Sequence, residues 1–278
     1  MNTASQNGSI PLLEVRNLSV SFRQQDKPVV DGVSFNMKAA SILGLAGASG
    51  AGKSSIGRAI IGLLKADSGE VLFKGEDILQ MNPQQLLAVR QRIQIIFQNP
   101  SAGLSPRRSI EQTLLEPLEH FAIGNNNSRQ EKIHQILPNV GLDTDVLRRY
   151  PHQFSSGQQQ RIAIARALLT DPELLIADEA VSALDVSVQA QILQLIQKLQ
   201  KERGIAVLFI SHDLAVIRQI ASEVAVIYRG QLLEHSSADN FFKQPAHAYS
   251  QSLLAFAKNE IPDDSKDHDW RLNSNIRR

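Results

Sequence analysis

A glycine-rich stretch near residue 50 contains the residue types that bind phosphate groups. It reads Gly47-Ala48-Ser49-Gly50-Ala51-Gly52-Lys53-Ser54. The glycines let the backbone curl so that successive N–H groups face one anion, with no Cβ in the way. Lys53 would reach the β- and γ-phosphates of a nucleoside triphosphate, and the Ser54 hydroxyl would ligate Mg²⁺. The stretch could also be a plain turn of small residues, and its flanking segments decide between the two.

An apolar run over residues 41–46 precedes the glycine-rich stretch, and a helix-like run over residues 56–64 follows it. The N-terminus of that helix would add a positive dipole end to the site. Strand, loop, Lys-Ser and helix therefore occur in the order that a phosphate-binding loop requires. The sequence predicts a nucleoside triphosphate site, with Ser49 and Ser55 as further contacts.

Two acids follow a second apolar run. Residues 174–177 read as a buried strand, and Asp178 and Glu179 come directly after it. A carboxylate there can hold the Mg²⁺ shell, and the second can polarise the attacking water. The alternative is an ordinary strand end with solvated acids, which the phosphate-binding loop upstream disfavours.

Gln98 and His212 each follow a further strand-like run, over residues 93–97 and 205–210. The carboxyl ends of parallel strands gather ligands at one edge of a sheet. The Gln98 amide could contact both Mg²⁺ and the water, and the His212 imidazole could donate to the γ-phosphate and orient the water. Taken singly, Gln98 is better explained as a polar loop residue, and His212 is better explained as a structural histidine.

A second helix N-terminus is predicted at Ser155-Ser156-Gly157, within the segment 154–158. A serine cap with a glycine beside it exposes backbone N–H groups, which makes a second anion site. Alone it is merely a good helix start. Phe22 could stack on an adenine ring, although a phenylalanine at the end of a strand is more often part of the core.

Length and composition are those of a water-soluble chain of one large or two modest domains. The 278 residues are 42% hydrophobic and 21% charged, with a net charge of +1 and no cysteine. The absence of cysteine excludes disulfides and thiolate-bound zinc or iron–sulfur clusters, and it suits a reducing cytosol. The polar residues 1–10 lack the apolar core of a signal peptide, and the apolar runs are too short to cross a bilayer.

The predicted elements divide the chain into four parts. We expect a flexible N-terminus over residues 1–11 and a core over 12–99 and 170–235. Residues 100–169 would form a helical subdomain, with helices over 109–121 and 129–140 around a loop at 124–128. A C-terminal extension covers 236–278, with a loose tail from about residue 259. Asn82 and Pro83 start a helix that runs to Arg92.

Seven motifs occur in an order that resembles the nucleotide-binding subunit of an ATP-binding cassette (ABC) transporter, over residues 12–230. They are the aromatic A-loop Phe22, Walker A at 47–54, the Q-loop Gln98, the signature at 154–158, Walker B at 174–178 with Glu179, the D-loop at 182–185 and the H-loop His212. The resemblance implies an α/β fold with a P-loop NTPase (RecA-like) core, an N-terminal antiparallel β subdomain and an inserted helical subdomain. ATP and Mg²⁺ are the implied cofactors.

In that family two subunits sandwich ATP between one Walker A and the partner's signature helix. The resemblance therefore implies that Ser155, Gly157, Gln158 and Asp185 contribute to a nucleotide site shared with a second, non-identical ATPase subunit. It further implies integral membrane permease subunits, a solute-binding protein as an indirect partner, and a peripheral position at the cytoplasmic face of the membrane. Direct binding to nucleic acid and insertion into lipid are not expected.

Four segments resemble more closely the ATPases of oligopeptide, dipeptide and nickel importers: residues 97–100, 149–154, 181–190 and 247–249. A peptide importer is the leading interpretation, with a nickel or other small-solute importer as the alternative. A soluble ABC ATPase acting on DNA or ribosomes would need a long coiled-coil insertion or a second cassette, and neither is present. A phosphate-loop kinase would leave the signature segment and His212 without a role.

The chain departs from the family pattern in three places. Ser156 stands where the family usually has glycine, and Ala180 replaces the usual proline after the catalytic glutamate. The cysteine-bearing C-terminal extension of longer peptide-transporter ATPases is not found. We expect the nucleotide site to survive the serine, because Ser155 and Gly157 retain the expected contacts.

Overall fold

The computed structural model describes residues 10–22 and 27–257. Most of the expected flexible N-terminus and the tail from residue 259 lie outside these residues. The strands are β1 Leu13–Val20, β2 Val30–Met37, β3 Ile42–Ala46, β4 Ser68–Phe73, β5 Glu76–Asp77, β6 Ile93–Ile96, β7 Leu174–Asp178, β8 Ala206–Ser211, β9 Glu223–Tyr228 and β10 Gln231–Ser237. The helices are α1 Lys53–Ile60, α2 Pro83–Arg92, α3 Ile110–His120, α4 Asn126–Asn139, α5 Ser156–Leu168, α6 Val186–Arg203, α7 Leu214–Ile220, α8 Ala238–Lys243 and α9 Ala248–Ala257.

The strands form two sheets. A four-stranded sheet has the order β2-β1-β4-β5, and a six-stranded sheet has the order β10-β9-β3-β8-β7-β6. The first sheet is antiparallel throughout. In the second, β9, β3, β8, β7 and β6 run parallel and only β10 is antiparallel to its neighbour. The carboxyl ends of β3, β6, β7 and β8 therefore meet at one edge, as parallel pairing requires.

Burial explains why the central strands read as uninterrupted apolar runs. Every residue of β3, β7 and β8 is buried, because helices cover both faces of a parallel sheet. One hydrophobic cluster joins the sheet to α3, α4, α5 and α6. A second lies between the sheet and the antiparallel strands, and a third joins β9 and α7 to α8 and α9.

The structure corrects two helix boundaries predicted from the sequence. The helix expected over 56–64 is α1, which already begins at Lys53 and ends at Ile60. It stops there because Gly62 has a φ of +65° and the N–H groups of Leu63 and Leu64 both donate to the Arg58 carbonyl. The loop expected over 124–128 also contains the start of α4. The Ser128 N–H donates to Asn125 Oδ1 at 3.0 Å, and the Asn125 N–H donates to Ser128 Oγ at 2.9 Å. This reciprocal cap starts the helix at Asn126.

Other termini agree with the sequence. Asn82 caps α2 and Ser155 caps α5, each through a reciprocal capping box. Gly204 ends α6 in a left-handed conformation, as expected for a helix C-cap. The helices α8 and α9 in the C-terminal extension are not predicted by the sequence patterns. Among the residues that the structure describes, no helix is long and apolar enough to cross a membrane.

Candidate functional site

The predicted functional residues lie where parallel strands end. The strand β3 leads into the loop 47–52, and α1 begins with Lys53 directly after it. The strand β7 ends at Asp178, β8 ends at Ser211 beside His212, and β6 ends two residues before Gln98. Because β3, β8, β7 and β6 are adjacent in the sheet, residues more than 100 positions apart in sequence share one edge.

Neighbouring backbone braces the loop and explains two of its glycines. A Cβ on Gly47 would lie 2.1 Å from the Ile227 carbonyl oxygen, and one on Gly52 would lie 2.4 Å from the Val29 carbonyl oxygen. Both glycines also have positive φ, of 148° and 103°. The Gly230 N–H donates to the Ala51 carbonyl at 3.0 Å. The loop is therefore held in shape by the β9–β10 turn and the start of β2.

Lys53 points back across the loop. Its side-chain nitrogen donates to the carbonyls of Gly47 and Ala48, each at 2.8 Å, and the residue is only 4% exposed. Burial lowers the pKa of the Lys53 ammonium, against the raising effect of the Glu179 and Asp178 carboxylates. The ammonium thus occupies the concave side of a loop of backbone groups, with two acids close enough to influence it.

Ser54 and Asp178 form a direct pair. The Ser54 hydroxyl donates to Asp178 Oδ1 at 2.6 Å, and Asp178 is 3% exposed. Burial raises the pKa of Asp178, while the Ser54 hydrogen bond and Arg58 lower it. A hydroxyl and a carboxylate side by side fit Mg²⁺, which takes one or two protein carboxylates and completes its shell with phosphate oxygens and water.

The three residues predicted as catalytic meet at the Glu179 carboxylate. His212 Nδ1 lies 3.0 Å from Glu179 Oε1, and the Gln98 amide nitrogen donates to Oε2 at 3.4 Å. Glu179 itself has a φ of +49°, in the left-handed region, and its N–H donates to the Ile210 carbonyl of β8. The contact that Gln98 makes is thus with Glu179 rather than with the Ser54–Asp178 pair. A polarising carboxylate with an imidazole and an amide on its two oxygens can orient and activate a water molecule.

The signature segment is folded as a helix start. The Gln158 N–H donates to Ser155 Oγ at 3.3 Å, and the Ser155 N–H donates to Gln158 Oε1 at 3.1 Å. Gly157 is buried, and a Cβ there would lie 2.4 Å from Cγ1 of Val188 on α6. The close approach of α5 to α6 within this chain therefore already explains why residue 157 is a glycine.

Asp185 caps the neighbouring helix. Its carboxylate accepts from the Val188 N–H at 3.0 Å and from the Ser187 hydroxyl at 2.8 Å, and these bonds, that of Val188 first, hold the pKa of Asp185 below its ordinary value. Ser155, Gln158 and Asp185 thus use their side chains on their own helices, rather than on residues 47–54.

The remaining predicted contacts lie on the surface around the loop. Ser49 and Gly50 are exposed, and Ser55 is half-buried in the first turn of α1. Phe22 follows the end of β1 with 41% of its surface exposed, so its ring is only partly covered by protein.

Sequence reasoning missed the approach of α9 to the phosphate-binding loop. The Tyr249 ring packs against that of Tyr228, with the ring centroids 4.3 Å apart. Burial raises the pKa of the Tyr249 phenol, and the backbone of Ala48 in the loop lowers it. In the sequence, the segment 247–249 is notable only for its family resemblance, and nothing in it signals packing near a loop 200 residues upstream.

Comparison with known proteins finds a matching family and several similar proteins. Residues 30–182 match the family described as ABC transporter. The oligopeptide transport ATP-binding protein OppF of Streptococcus mutans is 44% identical over 248 residues, covering 88% of this chain and 80% of that protein. The dipeptide transport ATP-binding protein DppF of Escherichia coli is 46% identical over 238 residues, covering 86% and 71%. AppF of Bacillus subtilis, also an oligopeptide transport ATP-binding protein, is 46% identical over 231 residues, covering 83% and 70%.

Solved structures confirm the predicted fold class. CbiO1 of Clostridium perfringens, part of the ABC transporter complex cbiONQ, superposes with a TM-score of 0.75 at 26% identity and covers 84% of this chain and 91% of its own. The ATP-binding cassette MJ0796, a dimer bound to ADP and Pi, gives a TM-score of 0.73 at 27% identity and covers 81% and 98%. With the Walker A, Walker B, Q-loop and H-loop residues gathered at one sheet edge and relatives at 44–46% identity over most of its length, this chain belongs to the ABC transporter family.

Proposed function

We propose that this chain is the ATP-hydrolysing subunit of a membrane importer for peptides and couples ATP binding and hydrolysis to solute uptake. The observation that carries the proposal is the Glu179 carboxylate, which contacts His212 and Gln98 at the edge that also holds Lys53 and the Ser54–Asp178 pair. The substrate class comes from the relatives, whose names specify oligopeptide and dipeptide transport.

The loop 47–54 binds the phosphates in this proposal. Lys53 exchanges its bonds to the Gly47 and Ala48 carbonyls for phosphate oxygens, and the N–H groups at the start of α1 face the same anion. Ser54 and Asp178 would hold Mg²⁺, which would supply charge neutralisation for the bound phosphates. Phe22 offers a partly exposed ring for the adenine.

Glu179 then acts on the attacking water. Its carboxylate polarises the water, while His212 fixes one of its oxygens and Gln98 the other. General base catalysis of this kind contributes about 10²- to 10⁴-fold in rate. The side chain of His212 is half exposed, so it can also face a γ-phosphate bound at this edge.

A second ATPase subunit completes the site. The N-terminus of α5 is exposed at Ser155 and Ser156, and a helix N-terminus attracts a phosphate. Ser155 and Gly157 would serve the γ-phosphate bound by the partner, with Gln158 and Asp185 at the same shared nucleotide site. The partner's own signature helix would serve this chain. The dimeric state of MJ0796 supports this arrangement. By resemblance to the peptide-importer group, the partner is a non-identical subunit.

Permease subunits would dock at the junction of core and helical subdomain. A groove of about 400 Å³ lies there between β6 and the helices α3 and α5, with Phe97 and Asn99 next to Gln98 among its lining residues. Movement of a docked partner would reach Glu179 through Gln98. The chain would thus be peripheral at the cytoplasmic face of the membrane, and a solute-binding protein would be an indirect partner.

The chemistry is tested by replacing Glu179 with glutamine and measuring ATPase activity and ATP binding. We expect Glu179→Gln to lower turnover on the order of 10²-fold or more while ATP still binds, because the substitution spares Lys53, Ser54 and Asp178. Lys53→Ala is the matched control and should lose ATP affinity instead. Unchanged turnover in Glu179→Gln would refute the role of Glu179.

The transport assignment is tested separately by purification of the tagged chain from membranes. We expect an integral membrane protein and a second ATPase subunit to co-purify with it, and peptide uptake to fail in cells that carry only Glu179→Gln. Recovery of the chain with nucleic acid or ribosomes, and without a membrane protein, would contradict an importer.

A further inference from the structure

A buried side-chain amide on the signature helix α5 has no hydrogen-bond partner. Gln160 is 0% exposed, and neither its Nε2 nor its Oε1 atom bonds to any group in the part of the chain that the structure describes. The two residues before it are paired. Gln158 Oε1 accepts the Ser155 N–H at 3.1 Å, and Gln159 Nε2 donates to the Pro151 carbonyl at 2.8 Å. Because native structures pair the large majority of buried polar atoms, the Gln160 amide requires a physical reason.

The packing of α5 on α6 defines one side of this amide. A Cβ on Gly157 would lie 2.4 Å from Cγ1 of Val188 on α6, and Arg161 donates to Gln191 Oε1 on the same helix at 3.0 Å. Residues three or four positions apart share a face of a helix, so Gln160 is on the face of α5 that packs on α6. The helix α6 continues from the segment that follows β7.

The neighbouring face of α5 turns to the segment that follows β6. Ala163, three positions after Gln160, lines the groove beside β6 together with Phe97. Residues three apart are neighbours on a helix surface, so Gln160 is at the boundary between this face and the one on α6. The amide therefore lies between the segment that carries Gln98 and the segment that begins with Glu179.

The contact between those two segments is itself long. The Gln98 amide donates to Glu179 Oε2 at 3.4 Å, beyond the usual range of about 2.7–3.2 Å between nitrogen and oxygen. A displacement of α5 that gives Gln160 backbone partners would be favoured, because it removes the cost of an unpaired buried group. The N-terminus of α5 is the part that would serve the partner's γ-phosphate, so a nucleotide bound there would select this displacement.

We propose that Gln160 is a positioning residue for Glu179. With nucleotide in the shared site, its amide donates to the backbone of one segment and accepts from the other, which holds Gln98 against the Glu179 carboxylate. Nucleotide bound by the partner thereby becomes a condition for hydrolysis at this chain's own loop. The inference rests on the proposed function and adds to it a buried residue that does not touch the nucleotide.

The test replaces Gln160 with methionine in the purified complex of the full-length chain and its partner ATPase subunit. Methionine has a similar length and no amide, so the buried volume is kept. We expect kcat for ATP to fall about 5- to 100-fold, the range for two neutral hydrogen bonds. The KM for ATP should stay unchanged, because the lost interaction acts in the transition state and residues 47–54 are untouched.

Stability and a matched variant provide the controls. The Tm of the nucleotide-free chain should be native or higher in Gln160→Met, because the amide has no partner there to lose. Gln160→Leu repeats the change with a branched side chain. Gln194→Met makes the same replacement on the exposed face of α6 and should leave kcat, KM and Tm unchanged.

A further measurement tests the link to the partner's nucleotide. One partner variant that binds ATP without hydrolysing it and another that cannot bind ATP both confine turnover to this chain's loop. In the native chain, turnover should be about 5- to 100-fold higher with the first partner variant than with the second. In Gln160→Met the two partner variants should give nearly equal turnover, since the two changes are coupled.

The outcomes separate this inference from the proposed function. A native complex without ATPase activity, or native turnover in Glu179→Gln, would overturn the proposed function. If the native complex is active and Gln160→Met keeps the native kcat, then Gln160 only packs α5 and the inference is wrong. A Tm below the native value in both Gln160→Met and Gln160→Leu would show that the amide is already bonded without nucleotide, and would overturn the inference as well.

Discussion

Asp178 is a buried carboxyl group, and its contribution to folding stability changes with pH in a direction that its pKa shift determines. Burial raises the pKa of Asp178 above the ordinary value of 3.8. As the pH rises above 3.8, the unfolded chain releases this proton before the folded chain does. The contribution of Asp178 to folding stability therefore falls with rising pH. At neutral pH this group therefore contributes less to folding stability than it does below pH 3.8.

We therefore expect Asp178→Asn to raise the Tm of the nucleotide-free chain at pH 7. The amide oxygen can still accept from Ser54, and the gain should shrink as the pH is lowered toward 3.8. Thermal unfolding at a series of pH values measures it, and Mg²⁺-dependent ATP binding should weaken in the same variant. Asp239→Asn is the control. The Lys243 hydrogen bond holds the pKa of the exposed Asp239 low, so this variant should show no gain. A native or lower Tm for Asp178→Asn at pH 7 would contradict the argument.

Ser156 is the residue at which this chain departs from its family next to the proposed partner site. It is exposed in the first turn of α5. We expect Ser156→Gly to change the free energy of unfolding by less than about 0.5 kcal/mol, as for other surface positions. The ATPase activity of the assembled complex should rise, because a hydroxymethyl group no longer crowds the opposing loop. A drop in activity at constant Tm would instead identify the hydroxyl as a ligand.

At the scale of elements, the contact between α5 and α6 is tight enough to be tested by adding one methyl group. A Cβ on Gly157 would lie 2.4 Å from Val188 Cγ1, and overpacking of this kind costs about 1–3 kcal/mol. Gly157→Ala should therefore lower the free energy of unfolding by roughly that amount, as measured by denaturant titration.

Shortening the facing side chain provides the control. Val188→Ala alone opens space, and the double variant should be more stable than the sum of the two single effects predicts. Additive effects would mean that the two helix starts can separate freely, and that Gly157 is needed only by a ligand.

Much of this architecture could be predicted from local patterns. The caps at Asn82 and Ser155 start helices in the structure, because a cap and its third following residue form a self-contained signal. The start of α4 is harder to predict because three consecutive asparagines, from Asn125 to Asn127, offer three equivalent caps.

The sequence predicts those parts of the site that lie within contiguous motifs or at the ends of parallel strands. The Ser54–Asp178 pair and the cluster on Glu179 follow from strands that end at one edge. The contacts of Gly157 with Val188 and of Tyr249 with Tyr228 join separate segments of the chain through packing. No periodicity or spacing in the sequence encodes such a pair.

At the scale of the whole molecule, the proposed shared site would draw on two separate parts of the chain. The phosphate-binding loop and Glu179 lie at the end of the six-stranded sheet, while the side chains of Ser155 and Asp185 are used on their own helices. We expect specific ATPase activity to rise with the concentration of the chain or of its partner subunit. Paired activity assays and light scattering across a dilution series measure this. Full ATPase activity at concentrations where light scattering detects only the monomer would refute the shared site.

Glu179 has one more consequence, for how this protein could change under selection. Its φ of +49° places a side chain with a Cβ in the left-handed region, where an ordinary residue costs roughly 1–2 kcal/mol and glycine or asparagine costs less. Heat resistance and turnover therefore favour different residues at this position. In a laboratory screen that rewards only survival at high temperature, glycine or asparagine should accumulate at position 179, and the resulting robust proteins would be inert. Glutamate should be retained at position 179 only where the screen also selects for ATPase activity.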